Sequence, residues 1–240
     1  MTVKRRRETI ATVKTELFKH ANAQKAAFFP RFFKAGPGEY AEGDIFIGVT
    51  VPEQRKIALG FRDLPRNEIE RLLEDPFHEC RLTGLLILVS QFERAATERD
   101  RKSIYEFYLR HIDCVNNWDL VDTSAPKIAG PFLWQKSHQP LLKLARVKHL
   151  WKNRIAIVAT LYFIKQGHFE TTLVLAELLM NHSHDLIHKG VGWMLREVGD
   201  HNRKRLVDFL EQHFRKMPRT MLRYAIEKLP EPQRQSFLRR

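Results

Sequence analysis

Two cysteines, Cys80 and Cys114, are the only thiols in 240 residues. They stand in unrelated contexts, so neither a disulfide framework nor a CxxC zinc site is implied, and a reducing compartment is expected. Long apolar runs are missing too; stretches such as Leu85–Val89 are far too short to span a bilayer. The start, MTVKRRRETIATVKTELFKHA, is basic but no apolar core follows, so it does not read as a secretory signal. Glu8 and Glu16 argue against a transit peptide, and residues 1–22 read as a basic N-terminal helix. Alternation of apolar and polar residues at period two is scarce, which argues against strands. There is no G-x-G-x-x-G, no Walker A motif, no H-E-x-x-H and no Gly-rich helix–hairpin–helix signature.

What is present is positive charge and helical spacing. Lys plus Arg exceed Asp plus Glu by 41 to 28, a formal charge of +13, in a chain that is 43% hydrophobic. A folded domain this basic usually meets a polyanion, because neutralising phosphates releases counterions. Apolar residues recur three and four apart. Thr50-Val-Pro-Glu53 reads as a capping box with proline in the first turn, and Pro65, Asp75-Pro76, Pro218 and Pro230 mark further boundaries. One long irregular segment runs from Gly36 to Asp44. Arg81, Asp119, Arg154 and Lys189 each precede an apolar helical stretch, at separations of 38, 35 and 35 residues. That is about the length of a helical hairpin repeat. The expectation is an all-α single domain over 1–240, a superhelical stack of HEAT-like antiparallel helical hairpins forming a C-shaped solenoid with a concave basic groove. An ordinary helical bundle is the alternative. If first-turn residues of the inner helices face the groove, Arg154 and Lys189 point into it, where helix N-termini add positive charge.

Three stretches could carry chemistry. In Ile187–Arg196, Ile187, Val191, Leu195 and Val198 share a face that should bury, while Lys189, Trp193 and Arg196 form a second stripe. An indole between two cations suits base stacking beside phosphate contacts; packing of Trp193 against a neighbouring hairpin is the other reading. The stretch Arg154–Ile164 is apolar almost all round, so Arg154 should project from a helix start, to a phosphate or to a structural carboxylate. In Asn116–Pro126, Trp118 and Asp122 lie one turn apart on one face, about 5–6 Å between Cβ atoms. Pro126 cannot donate to the Asp122 carbonyl, so the helix should open there. An aromatic face beside a carboxylate is what a developing sugar cation requires; a dipole-favouring acid with the indole in the core is the bland alternative, though Asp119 lies nearer the helix start. His184 and His188 have metal-ligand spacing but lack an evident third ligand, so no metal is expected.

Three segments, NNWDLVD (116–122), WKNRIAI (151–157) and GWMLRE (192–197), resemble in order and spacing the motifs of AlkD-type DNA alkylation-repair glycosylases. FIGVTVPEQRK (46–56) resembles the same family's approach to an early helix. The likeness runs from about residue 25 to about 230. It implies HEAT-like repeats with DNA in their concave face. It puts Asp122 at the catalytic carboxylate, Trp118 and Trp193 at the two indoles that cradle the lesion's deoxyribose, and Arg154 at an arginine contacting DNA near the lesion. Arg196 would support Trp193, Lys189 would add a DNA contact, and Phe32 falls where some members carry a tyrosine. The implied activity is monofunctional removal of 7-methylguanine and 3-methyladenine from duplex DNA without drawing the base into a pocket. It needs no cofactor and leaves an abasic site. The expected partner is double-stranded DNA bearing alkylated bases, with no membrane, and the chain acts as a cytoplasmic monomer near a bacterial-type nucleoid. The competing expectation is a non-catalytic helical-repeat protein that binds distorted or branched DNA; a scaffold for a protein partner is a third.

Overall fold

Apolar residues three and four apart make amphipathic helices, and helices fill both compact units of the computed structural model, which describes residues 8–239. The first unit, Met1–Ser124, contains α1 (Ile10–Lys19), α2 (Ala23–Phe33), α3 (Val51–Gly60), α4 (Arg66–Leu73), α5 (His78–Arg94), α6 (Glu98–Arg110) and α7 (Trp118–Ser124). The second, Ala125–Arg240, contains α8 (Ala129–Leu133), α9 (Gln139–Arg146), α10 (Leu150–Val158), α11 (Leu161–Lys165), α12 (Glu170–Leu179), α13 (Asp185–His201), α14 (Arg203–His213), α15 (Arg219–Ala225) and α16 (Glu231–Leu238). Among the described residues the nearest thing to a sheet is one isolated bridge between Ile45 and Phe77. No helix is long and apolar enough to cross a membrane among them.

The N-terminal helix is shorter than the 1–22 expected. It starts at Ile10, capped by Thr9, which exchanges bonds with Thr12, and it ends at Lys19. Residues 1–7 of that expectation lie outside the described residues.

α5 is the centre of the first unit, with α1, α3, α4, α6 and α7 around it. Cys80, Leu82, Leu85, Ile87 and Leu88 are buried on it, each apolar side chain contributing about 1.5–3 kcal/mol by leaving water. The capping box at α3 forms as expected: Glu53 Oε2 accepts from Thr50 N–H (3.0 Å) and Thr50 Oγ1 (2.7 Å). Just before it, the backbone N–H groups of Ile47 (3.2 Å), Gly48 (2.8 Å) and Val49 (3.3 Å) all donate to the buried Glu79 Oε1. One carboxylate thereby supplies the acceptors that a non-helical buried segment lacks. Gly48 has φ +84°, and a Cβ there would stand 2.1 Å from the Asn22 carbonyl oxygen. FIGV therefore takes its form from a buried acid and one obligatory glycine.

α13 is the centre of the second unit, running along α15 and against α10, α11, α12 and α14. Ile187, Val191, Leu195 and Val198 are fully buried, as their spacing requires. The single helix expected over Arg154–Ile164 is instead two, α10 and α11. Thr160 Oγ1 donates to the Ile157 carbonyl at 2.6 Å, and the chain turns at residues 159–160.

Candidate active site

α7 carries the Trp118–Asp122 pair, and its two ends are fixed by buried polar groups. At its start the Asn117 carbonyl accepts from Val121 N–H (3.1 Å) and the Asn117 side chain accepts from Trp118 N–H (2.8 Å). At its end Ser124 Oγ donates to the Leu120 carbonyl (2.6 Å) and lies 3.1 Å from the Tyr108 hydroxyl. The helix stops at Ser124, two residues before Pro126, as the missing N–H of proline requires. Trp118 and Asp122 occupy i and i+4 of this one helix, and both are half-buried. Such an environment raises the strength of any charge interaction above its value in bulk water.

The Trp118 ring rests on a column of aromatic side chains. It stacks on Phe33 (centroids 5.5 Å, planes 23° apart), and Phe33 stacks on Phe46 (5.2 Å, 11°). Phe32 meets the Trp118 ring edge-on at 5.9 Å with about half of its own surface exposed. Phe32 and Trp118 thus meet within the first unit, and Asp122 lies one turn along α7 from Trp118.

Beneath that column lies a buried ion network that sequence reasoning missed. His78 Nδ1 faces Asp44 Oδ2 at 3.0 Å and His78 Nε2 faces Asp119 Oδ2 at 2.8 Å. Two acceptors require both ring nitrogens to carry protons, so the ring is an imidazolium. Burial by itself would lower its pKa; Asp119 and Asp44 more than reverse this and raise it to about 9. Arg81 pairs with Asp44 Oδ1 and donates to the carbonyls of Asp75 (3.0 Å) and Pro76 (3.2 Å). Burial pushes the Asp44 carboxyl up, but bonds and charge from His78 and Arg81 hold it below its ordinary value. Asp44, His78 and Asp119 are 34 and 41 residues apart, so no local pattern announces them. The one available signal was Asp44 closing the irregular Gly36–Asp44 segment. Asp119, read as a dipole residue, does lie in the first turn of α7, and it is also a member of this network.

The remaining sequence-derived candidates belong to the second unit. Arg154 does not project from a helix start: α10 begins at Leu150, leaving Arg154 one turn in, 5% exposed, with Nη1 donating to the Leu186 carbonyl at 2.6 Å. The helix start is set ahead of the arginine by His149, whose Nδ1 accepts from Lys152 N–H at 3.3 Å. Lys189 is likewise one turn into α13 and pairs with Asp185 at 2.8 Å. Trp193 is half-buried, its Nε1 donating to Glu197 Oε1 at 2.9 Å. Arg196 forms an ion pair with Glu227. His182 and His184 use their Nδ1 atoms to accept backbone N–H groups around the α13 start, and burial lowers the pKa of both. Among the described residues one group with metal-ligand donors does lie within reach of a common ion, Glu70, Glu74 and His111, at the far end of α4.

The family model described as DNA alkylation repair enzyme matches residues 13–229. A solved structure described as a predicted DNA alkylation repair enzyme from Enterococcus faecalis shares this fold, with a TM-score of 0.66. Its sequence is 15% identical, and the alignment covers 88% of this chain and 98% of that one. No curated protein matches the chain significantly.

Proposed function

Because the chain belongs to the DNA alkylation repair enzyme family, we propose that it is a monofunctional glycosylase acting on cationic alkylated purines, 7-methylguanine and 3-methyladenine, in duplex DNA. The observation that carries this reading is the Trp118–Asp122 pair, half-buried on a seven-residue helix held at both ends. A purine alkylated at N7 or N3 already bears a positive charge. When its bond to C1′ breaks, the electron pair neutralises the leaving base, so no general acid is required. Positive charge moves to the sugar, and the Asp122 carboxylate stabilises it. The Trp118 indole offers its π face to the same cationic sugar and base. Water then adds to C1′, loses a proton, and leaves an abasic site. The reaction so written uses neither metal nor cofactor, and the base need not leave the duplex stack before cleavage.

In the second unit, Trp193 supplies a further aromatic face, and Arg154, Lys189 and Arg196 serve DNA; these roles rest on the resemblance of WKNRIAI and GWMLRE to the family motifs. Phe32 extends the apolar surface beside Trp118. The protein acts as a monomer on DNA in the cytoplasm. The decisive measurement is release of 7-methylguanine from alkylated duplex by wild type and Asp122→Asn. A loss of about 10²–10³ in rate is expected on removing a charge that acts in the transition state. Equal release by both would take Asp122 out of the mechanism. Tight, salt-sensitive binding with no base release by wild type would favour the non-catalytic reader of distorted DNA.

A further inference from the structure

We propose that His78 is a positioning residue: clamped between Asp44 and Asp119, it sets the seat of α7 and hence the attitude of the Trp118 ring. This inference rests on the glycosylase reading only for its catalytic consequence; its structural content stands by itself.

Three separate links run from this imidazole to the candidate site. Through Nε2 it holds Asp119, the residue following Trp118 (2.8 Å). Through Nδ1 it holds Asp44 (3.0 Å), and Asp44 Oδ2 also accepts from Asn117 Nδ2 at 3.4 Å. Asn117 is the residue that binds the Trp118 backbone N–H. The His78 ring, centroid to centroid, lies 4.8 Å from Phe33, the ring on which Trp118 stacks, and 5.0 Å from Phe46. The α7 start is therefore tied on both sides of Trp118, and the indole's support is tied as well. His78 is 2% exposed, so water cannot replace either bond.

The charged groups facing it balance. Asp44 comes from the irregular segment, Asp119 from α7, and Arg81 from its own helix, where it pairs with Asp44. Glu79, its neighbour in sequence, is turned to the 47–49 backbone, and Asp75 is taken by Lys14 at 2.7 Å. Two carboxylates meet two cations. Loss of the His78 proton leaves a lone pair facing one of the carboxylates, and that link becomes repulsive.

The test uses the full-length protein in two arms. In the first, without DNA, Trp118 emission is isolated as the difference between wild type and Trp118→Phe and followed from pH 6 to 10.5. A transition with a midpoint near 9 is expected, absent in His78→Gln. A flat wild-type trace, or the same transition in the variant, overturns the proposal. Should His78→Gln fail to fold, Asp119→Asn takes its place: removing one carboxylate must move the midpoint to lower pH, and an unmoved midpoint overturns the proposal. The second arm is the pH profile of base release. His78→Gln should lower kcat about 10²-fold, the scale of an ångström misplacement, with KM and affinity for undamaged duplex within about twofold and with the alkaline limb lost. Unchanged kcat and an unchanged limb overturn it. A wild type that shows the emission transition yet releases no base would sink the glycosylase reading and leave the positioning role supported.

Discussion

Arg154 is a cation with only 5% of its surface exposed, bonded to the Leu186 carbonyl and lying against Gly190, where a Cβ would come within 3.2 Å of its Nη1. Arg154→Ala leaves that carbonyl without this donor and opens a cavity. A loss of about 2–4 kcal/mol is expected in urea unfolding, and Arg154→Lys should recover part of it without the planar fork. Full retention of stability in Arg154→Ala would mean that the guanidinium serves ligand contact alone. Glu79 offers a second test, since three buried N–H groups depend on Oε1. Glu79→Ala should destabilise by about 3 kcal/mol or more, and Glu79→Gln, which keeps one acceptor oxygen, by less. For Trp193 two substitutions grade the loss. Trp193→Phe removes the bond to Glu197, worth about 1 kcal/mol, and part of the indole, but it keeps an aromatic face and should retain most base release, whereas Trp193→Ala should lose it at least about tenfold if the ring stacks on DNA.

Packing between elements sets a different limit. α13 and α15 approach so closely at Gly192 that an added Cβ would lie 2.5 Å from Tyr224 Cβ and 2.6 Å from the Met221 carbonyl oxygen. Both contacts are with parts of α15 that cannot swing aside, so Gly192→Ala should destabilise by about 1–3 kcal/mol or more, read as a fall in Tm. The GWMLRE motif thus begins with a residue chosen for helix contact, beside the indole proposed for function. The seat of α7 carries a pH dependence whose sign follows from His78. Its folded pKa, about 9, exceeds the ordinary 6.5, so the folded state binds the extra proton. The contribution is complete below about pH 6.5 and is lost as pH rises through 9. Urea midpoints of wild type should therefore fall between pH 7 and 10, and those of His78→Gln should fall less. Equal slopes for the two proteins would contradict the buried imidazolium.

For the molecule as a whole, a charge of +13 sets the expected response to salt. If about four phosphates are neutralised, log K falls with log salt at a slope near −3.6, roughly 10²-fold between 50 and 200 mM. A flat dependence would argue for a partner other than nucleic acid. Sequence alone determined the helical class, because apolar spacing follows from the 3.6-residue turn and needs no knowledge of neighbours. For the same local reason the Thr50–Glu53 cap, the end of α7 before Pro126, the buried face of α13 and the one-turn spacing of Trp118 and Asp122 along α7 were legible. The family's order of motifs was legible too. Helix starts were less so: His149 capped α10 ahead of Arg154, and the chain turned at residues 159–160, where Thr160 interrupts an otherwise apolar stretch. The clamp of His78 by Asp44 and Asp119, the bonding of Glu79 to three backbone N–H groups, and the burial of Arg154 were decided only by tertiary structure. Each joins residues more than 25 positions apart, and a buried charge reveals its partners only when folding removes the water that would otherwise serve any of them equally well.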